Sequence, residues 1–324
     1  MRKGIDVHVC EVGLRDGLQS IKTFFPTDQK IAWIEAEAAA GMPEIEVCSF
    51  VPAKLIPQFS DAGQIVPASL EIAKKHEGLV VSALMPNLKG AENGIAAGVH
   101  KLNYVTSVSE GHNMANVRRT TAESVEAFRQ IVALRDQKAK ETGRRVCLLA
   151  GLATAFGCTI EGKVDPGAVI RLAEKFMEAG ADELSVADTV GYANPAQVKS
   201  LLKMLFDALG KDVKVTVHLH DTRGLGIANA NAALEAGARR FDASLAGLGG
   251  CPYAPGATGN IVMDDLVFML ESMGLKTGVD LDKLVAVREI VARNLPGEAL
   301  YGGLAKSGPP KGYVPASRFA AAAE

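Results

Sequence analysis

The chain has 324 residues, 48% hydrophobic and 22% charged, which supplies a sizeable core and argues against disorder. Its 35 basic and 37 acidic residues leave a net charge of −2, so nothing supports a nucleic-acid surface. Five cysteines, at 10, 48, 147, 158 and 251, are odd in number and form no CxxC, which reads as free thiols in a reducing compartment.

The start, MRKGIDVHVCEVG, alternates like a strand from about residue 5, leaving no room for a leader, and a cytoplasmic location is expected. No apolar run is long enough to span a membrane. From there short apolar runs alternate with longer segments of helical period. Strands are expected at Val7–Val12, Glu44–Val47, Leu79–Met85, Lys101–Thr106, Arg145–Leu149, Glu183–Ala187, Lys214–His220 and Arg240–Ala246. Helices are expected at Asp28–Ala40, Asp61–His76, Lys89–Ala97, Thr121–Thr142, Asp165–Ala179, Pro195–Leu209, Gly226–Ala236 and Asn260–Met273. Glycines 41, 98, 143, 180, 210 and 237 fall where left-handed helix caps are needed.

Strict alternation of this kind is the pattern of a (β/α)8 TIM barrel. An open doubly wound sheet is the alternative, but no Gly-rich dinucleotide fingerprint follows the first strand. Residues 1–275 are therefore expected to form a catalytic barrel. Residues 276–324, with a helix near Leu281–Arg293 and a Gly/Pro-rich tail, are expected to pack on it or at an oligomer contact.

In such a barrel the chemistry sits at the C-terminal ends of the strands. The first strand delivers EVGLRDGLQ. Arg15 and Asp16 are either a solvated ion pair or a carboxylate ligand beside a fixed cation, with Gln19 nearby. The second carries Glu46 inside an apolar run, where a carboxylate is costly unless paired. It reads as a general base or as a residue at a wet strand mouth. The sixth ends in ELSVADTVGY, presenting Ser185, Asp188 and Thr189; Asp-Thr there is equally an ordinary helix cap. The seventh reads VTVHLHDTRG. His218 and His220 are two apart, so on a strand both rings project to one side, roughly 7 Å apart at Cα, and suit one metal ion. With Asp16 they make a two-histidine, one-carboxylate set that fits Mg²⁺ or Mn²⁺, Zn²⁺ being compatible. After the eighth strand comes GGCPYAPGATGN, in which Asn260 is a ligand or an N-cap, and Cys251 is a loop thiol, reactive or inert.

Taken together these segments resemble the 3-hydroxy-3-methylglutaryl-CoA lyase family of metal-dependent barrels. The resemblance runs over roughly residues 5–290, through EVGLRDGLQ, SFV, MPNLKG, GKVDP, ADTVG, VHLHDTRG and, most specifically, GGCPYAPGATGN. It implies a carbon–carbon lyase acting on an acyl-CoA, and a homodimer. Asp16, His218, His220 and Asn260 would hold the cation. Arg15 would stabilise charge on the thioester oxygen, and Glu46, Asp16 or His218 would take the hydroxyl proton. Cys251 would protonate the enolate, a task suited to a thiol of pKa about 8.5. Gln19, Ser185, Asp188 and Thr189 would contact the substrate. Departures at Arg223, where animal members have Tyr, and in TSVSEGHNMANVRRT leave room for citramalyl-CoA or a longer branched 3-hydroxyglutaryl-CoA as substrate. A condensing enzyme running the reverse bond formation is a further alternative.

Overall fold

The computed structural model describes residues 4–249 and 259–319. Eight parallel strands close into a barrel in chain order, as the alternation predicts. They are β1 (His8–Glu11), β2 (Glu44–Ser49), β3 (Val80–Met85), β4 (Lys101–Ser107), β5 (Cys147–Ala153), β6 (Glu183–Asp188), β7 (Val215–Leu219) and β8 (Arg240–Ala243). The helices are α1 (Thr27–Ala39), α2 (Ala62–Lys75), α3 (Leu88–Ala97), α4 (Glu110–Val117), α5 (Thr121–Thr142) and α6 (Pro166–Glu178). They continue with α7 (Pro195–Leu209), α8 (Gly226–Glu235), α9 (Met263–Ser272), α10 (Leu281–Asn294), α11 (Leu304–Ser307) and α12 (Ala316–Phe319).

Local chemistry sets the helix ends. Thr120 and Glu123 form a capping box for α5, and Asn194 and Gln197 do the same for α7, where Pro195 occupies the first turn. The six cap glycines named above all take positive φ.

Every second strand residue points into the barrel, and the interior is polar in two layers. At the floor, Glu44 accepts from Lys101 at 2.8 Å and pairs with His8 at 2.9 Å; Glu183 bridges Lys101 at 3.1 Å and Arg240 at 3.2 Å. Two residues further along β2, β4, β6 and β8 lie Glu46, Asn103, Ser185 and Asp242, and Asp242 pairs in register with His218 on β7. The opposite faces, with Val9, Ile45, Leu102, Leu184, Val217 and Phe241, are fully buried against the helices. Each such side chain contributes about 1.5–3 kcal/mol. Beyond the barrel, α10 lies against α1 and α9, and the following tail hydrogen-bonds from Tyr301 N to Ala246 O at 2.9 Å.

Four expectations shift. β5 begins two residues late and runs on to Ala153, because Gly151 and the alanines pair along β4 without β-branched bulk to announce them. β8 stops at Ala243 and turns through Leu245–Gly247. The eighth helix starts at Met263, not at Asn260, because Asn260 is held in a bridge to His220. α4 forms in the loop after β4, capped by Ser109.

Candidate active site at the barrel mouth

A five-residue π-helical turn, Gly13–Gly17, follows β1 and brings Arg15 and Asp16 over the barrel end. The N–H groups of Arg15, Asp16 and Gly17 all donate to Val12 O, which fixes the turn. Arg15 Nε donates to Glu46 Oε2 at 2.6 Å, and its Nη1 donates to Asp16 Oδ1. Glu46 sits on β2 where the register to β3 slips, a bulge of the sort that re-aims side chains at sites. Its other oxygen accepts from Asn103 Nδ2 at 2.9 Å.

Asp16 Oδ2 lies 3.8 Å from His218 Nε2 and 3.7 Å from His220 Nε2, and the two Nε2 atoms are 3.1 Å apart. Ligand atoms of these three residues all fall within 4.8 Å of one another. Asn260 Nδ2 donates to Asp16 Oδ2 at 2.8 Å and to Leu248 O at 3.1 Å, and among the described residues its buried Oδ1 has no hydrogen-bond partner. The structure thus brings together Arg15, Asp16, Glu46, His218, His220 and Asn260.

The electrostatics follow from burial and these partners. Burial alone would raise the Asp16 carboxyl, but Arg15, His218, His220 and Asn260 outweigh it and hold it well below the usual carboxylate range. Burial, reinforced by the neighbouring His218, lowers His220 to about 4, so its ring is neutral at physiological pH. His218 is lowered by burial, yet the hydrogen bond to Asp242 and the charge of Asp16 bring it above its ordinary value. Burial raises the Glu46 carboxyl by more than Arg15 and Asn103 take back.

The donor set fits a divalent cation: two imidazoles, one carboxylate, and an amide oxygen with no other partner among the described residues. An unpaired buried acceptor costs about 1–3 kcal/mol, which a bound cation would relieve.

The other expected residues lie around this cluster in different ways. Ser185 is buried one layer in on β6. Gln19 is half-buried just past the turn. Thr189 Oγ1 accepts from Thr154 N at 2.8 Å. The Asp188 carboxylate is committed to its own turn, accepting from Tyr192 N at 2.8 Å and Ala193 N at 3.1 Å, and burial raises it to about 6. Cys251 lies outside the described residues. Two groups escaped the sequence reading. Asp242 bonds His218 Nδ1 at 3.1 Å, and its signal was a lone acid two residues after Arg240, on the same face of a short strand. Glu11, beside Gly13, ties β1 to the β8 turn, accepting from Gly13 N at 2.6 Å and Leu245 N at 3.0 Å.

Fold and cluster together define a (β/α)8 barrel with a candidate divalent-metal centre at its C-terminal mouth. The HMGL-like family model matches residues 6–291. The hydroxymethylglutaryl-CoA lyase YngG of Bacillus subtilis is 41% identical over 301 residues, covering 91% of this chain and 96% of the relative. The (R)-citramalyl-CoA lyase of Chloroflexus aurantiacus is 40% identical over 311 residues, covering 94% and 95%. Among solved structures, an HMG-CoA lyase from A. baumannii in complex with coenzyme A and 3-methylmalate superposes with a TM-score of 0.86 at 40% identity. That match covers 95% of this chain and 97% of that one. The chain belongs to the HMGL-like family, and it is a carbon–carbon lyase of the hydroxymethylglutaryl-CoA lyase type.

No helix among the described residues is long and apolar enough to cross a membrane.

Proposed function

We propose that the protein cleaves 3-hydroxy-3-methylglutaryl-CoA to acetyl-CoA and acetoacetate. The observation that carries this reading is the convergence of Asp16, His218 and His220 beside the Arg15–Glu46 pair, in a chain with hydroxymethylglutaryl-CoA lyases among its relatives.

Asp16, His218, His220 and Asn260 would hold the cation, Mg²⁺ or Mn²⁺, which when bound supplies a Lewis acid for the substrate's tertiary hydroxyl and free carboxylate. Glu46 takes the hydroxyl proton. Asp16 and His218, the other two candidates, are committed to the ligand cluster. The electron pair left on oxygen then forms the ketone of acetoacetate as the C2–C3 bond breaks, and the bonding electrons pass to the enolate of acetyl-CoA. Arg15, held rigidly by Glu46 and Asp16, stabilises the charge that develops on the thioester oxygen. Cys251 gives its proton to the enolate carbon and regains one from solvent. Gln19, Ser185 and Thr189 contact the acyl-CoA, and Asp188 supports them by shaping the turn that carries Thr189.

Residues 1–275 act as the catalytic unit and 276–324 as its packing extension. A homodimer working in the cytoplasm, in leucine degradation, completes the reading.

Citramalyl-CoA remains the second substrate reading. The 40% identity to an (R)-citramalyl-CoA lyase supports it; at the mouth the Arg223 guanidinium stacks 4.6 Å from the Tyr192 ring and donates to Val190 O at 3.1 Å and Gly191 O at 3.0 Å. That latch joins two mouth loops at a position where the animal lyases carry Tyr. Acetyl-CoA release from both thioesters decides between them. Release from the hydroxymethylglutaryl thioester supports the primary reading; release from the citramalyl thioester alone transfers the same chemistry to the second. Release from neither refutes both.

A further inference from the structure

We infer that Asp242 is a positioning residue for the metal centre: it holds the His218 ring in the tautomer that presents Nε2 to the ion. The inference rests on the ligand set proposed above, not on the identity of the substrate.

Asp242 and His218 are direct register partners on β8 and β7, so the sheet itself sets their separation. Asp242 Oδ2 lies 3.1 Å from His218 Nδ1. A carboxylate can only accept, so Nδ1 must carry the hydrogen and donate it. In a neutral ring that leaves the lone pair on Nε2, the atom that faces His220 Nε2 and Asp16 Oδ2. Among the described residues His220 has no equivalent support: its Nδ1 is buried without a hydrogen-bond partner there. The two ligands of the His-x-His pair are therefore unequal, and His218 is the one whose aim is built in.

Charge points the same way. Among the described residues, Asp16, Glu46 and Asp242 stand against the guanidinium of Arg15, an excess of two formal negative charges that a divalent ion balances. Removing the charge on Asp242 unbalances the site as well as releasing the ring. An Asn in its place adds a second fault, because its amide N–H can donate to Nδ1 and drive the hydrogen to Nε2.

The test is Mn²⁺ titration calorimetry on metal-stripped wild type and Asp242→Asn, with a thermal melt of each. The variant is expected to fold and to bind Mn²⁺ about 10- to 100-fold more weakly. Its melting temperature should rise less than the wild type's when Mn²⁺ is added. Equal affinity in the two proteins overturns the inference. Should the variant not fold, ¹⁵N-edited spectra of the wild-type histidine rings with Mg²⁺ present decide it. A hydrogen on His218 Nδ1 supports the assignment, and one on Nε2 overturns it. A wild type that binds no Mn²⁺ overturns the ligand set and this inference with it, whereas failure to cleave either thioester leaves the titration comparison intact.

Discussion

Replacing Gly13 by Ala should damage catalysis more than folding. A Cβ on Gly13 would stand 2.5 Å from Glu11 Oε1, 2.9 Å from a Trp33 ring carbon and 3.0 Å from Ser244 Oγ. None of the three can yield. Glu11 is anchored by two backbone N–H groups, Trp33 is fully buried and donates to Glu37 at 2.7 Å, and Ser244 is fully buried. Comfortable carbon contacts begin near 3.5 Å, so the turn must move by roughly 0.5–1 Å. Arg15 and Asp16 ride on that turn, two and three residues on. Misplacing catalytic groups by about 1 Å costs on the order of 100-fold in rate, while overpacking costs about 1–3 kcal/mol of stability. The expected result is kcat for acetyl-CoA release lowered about 10- to 100-fold with a fall of only several degrees in melting temperature. Gly63→Ala is the control. It is exposed in α2 with nothing within 4 Å of its added Cβ. It should gain about 0.5–1 kcal/mol and leave turnover unchanged. A Gly13→Ala enzyme with wild-type kcat would refute the claim that this turn sets the position of the catalytic groups.

Three further outcomes follow from the same contacts. Arg15→Met should lower kcat by about 100- to 1,000-fold by removing the donor to the developing oxyanion, with steady-state kinetics as the check. It should cost stability too, since the buried Glu46 would lose its bond from Arg15 and keep the one from Asn103. Lys101→Met on the barrel floor removes the cation closest to Glu44 and Glu183 and leaves Arg240 to bridge both, and should cost about 3 kcal/mol in denaturant unfolding. Burial raises the Glu11 carboxyl to about 8, against the bonds from Leu245 and Gly13, so the folded protein keeps a proton that the unfolded chain releases near the ordinary Glu value. The unfolded state then binds fewer protons, and this group's contribution makes stability fall as pH rises from that ordinary value toward 8. Glu11→Gln should flatten that slope in pH-dependent melts; an unchanged slope would assign it elsewhere.

The eight strands were legible because parallel barrel strands are apolar on their outward face and flanked by turn residues. His218 and His220 were legible for the same reason: period two on a strand leaves them no choice but one face. What the local pattern concealed depended on distant partners. Asn260 sits where an N-cap is expected, yet its bridge to His220 delays the helix to Met263. Asp188 and Thr189 look like mouth residues in sequence, and the hydrogen bonds to Tyr192, Ala193 and Thr154 that occupy them come from the fold of the loops. The π turn has no sequence period at all; the N–H groups that converge on Val12 O hold it, and the crowding around Gly13 leaves no room for a Cβ. α4 was hidden in a short polar stretch whose helical face is stabilised by Ser109 and by the burial of His112 and Asn113.

The account stands most directly on acetyl-CoA release from 3-hydroxy-3-methylglutaryl-CoA, measured after chelation and again after Mg²⁺ is restored, in wild type and in His220→Ala. It predicts turnover that is lost on chelation, regained with Mg²⁺ in the wild type, and not regained in the variant. Full turnover by the chelated enzyme, or by His220→Ala, would contradict it.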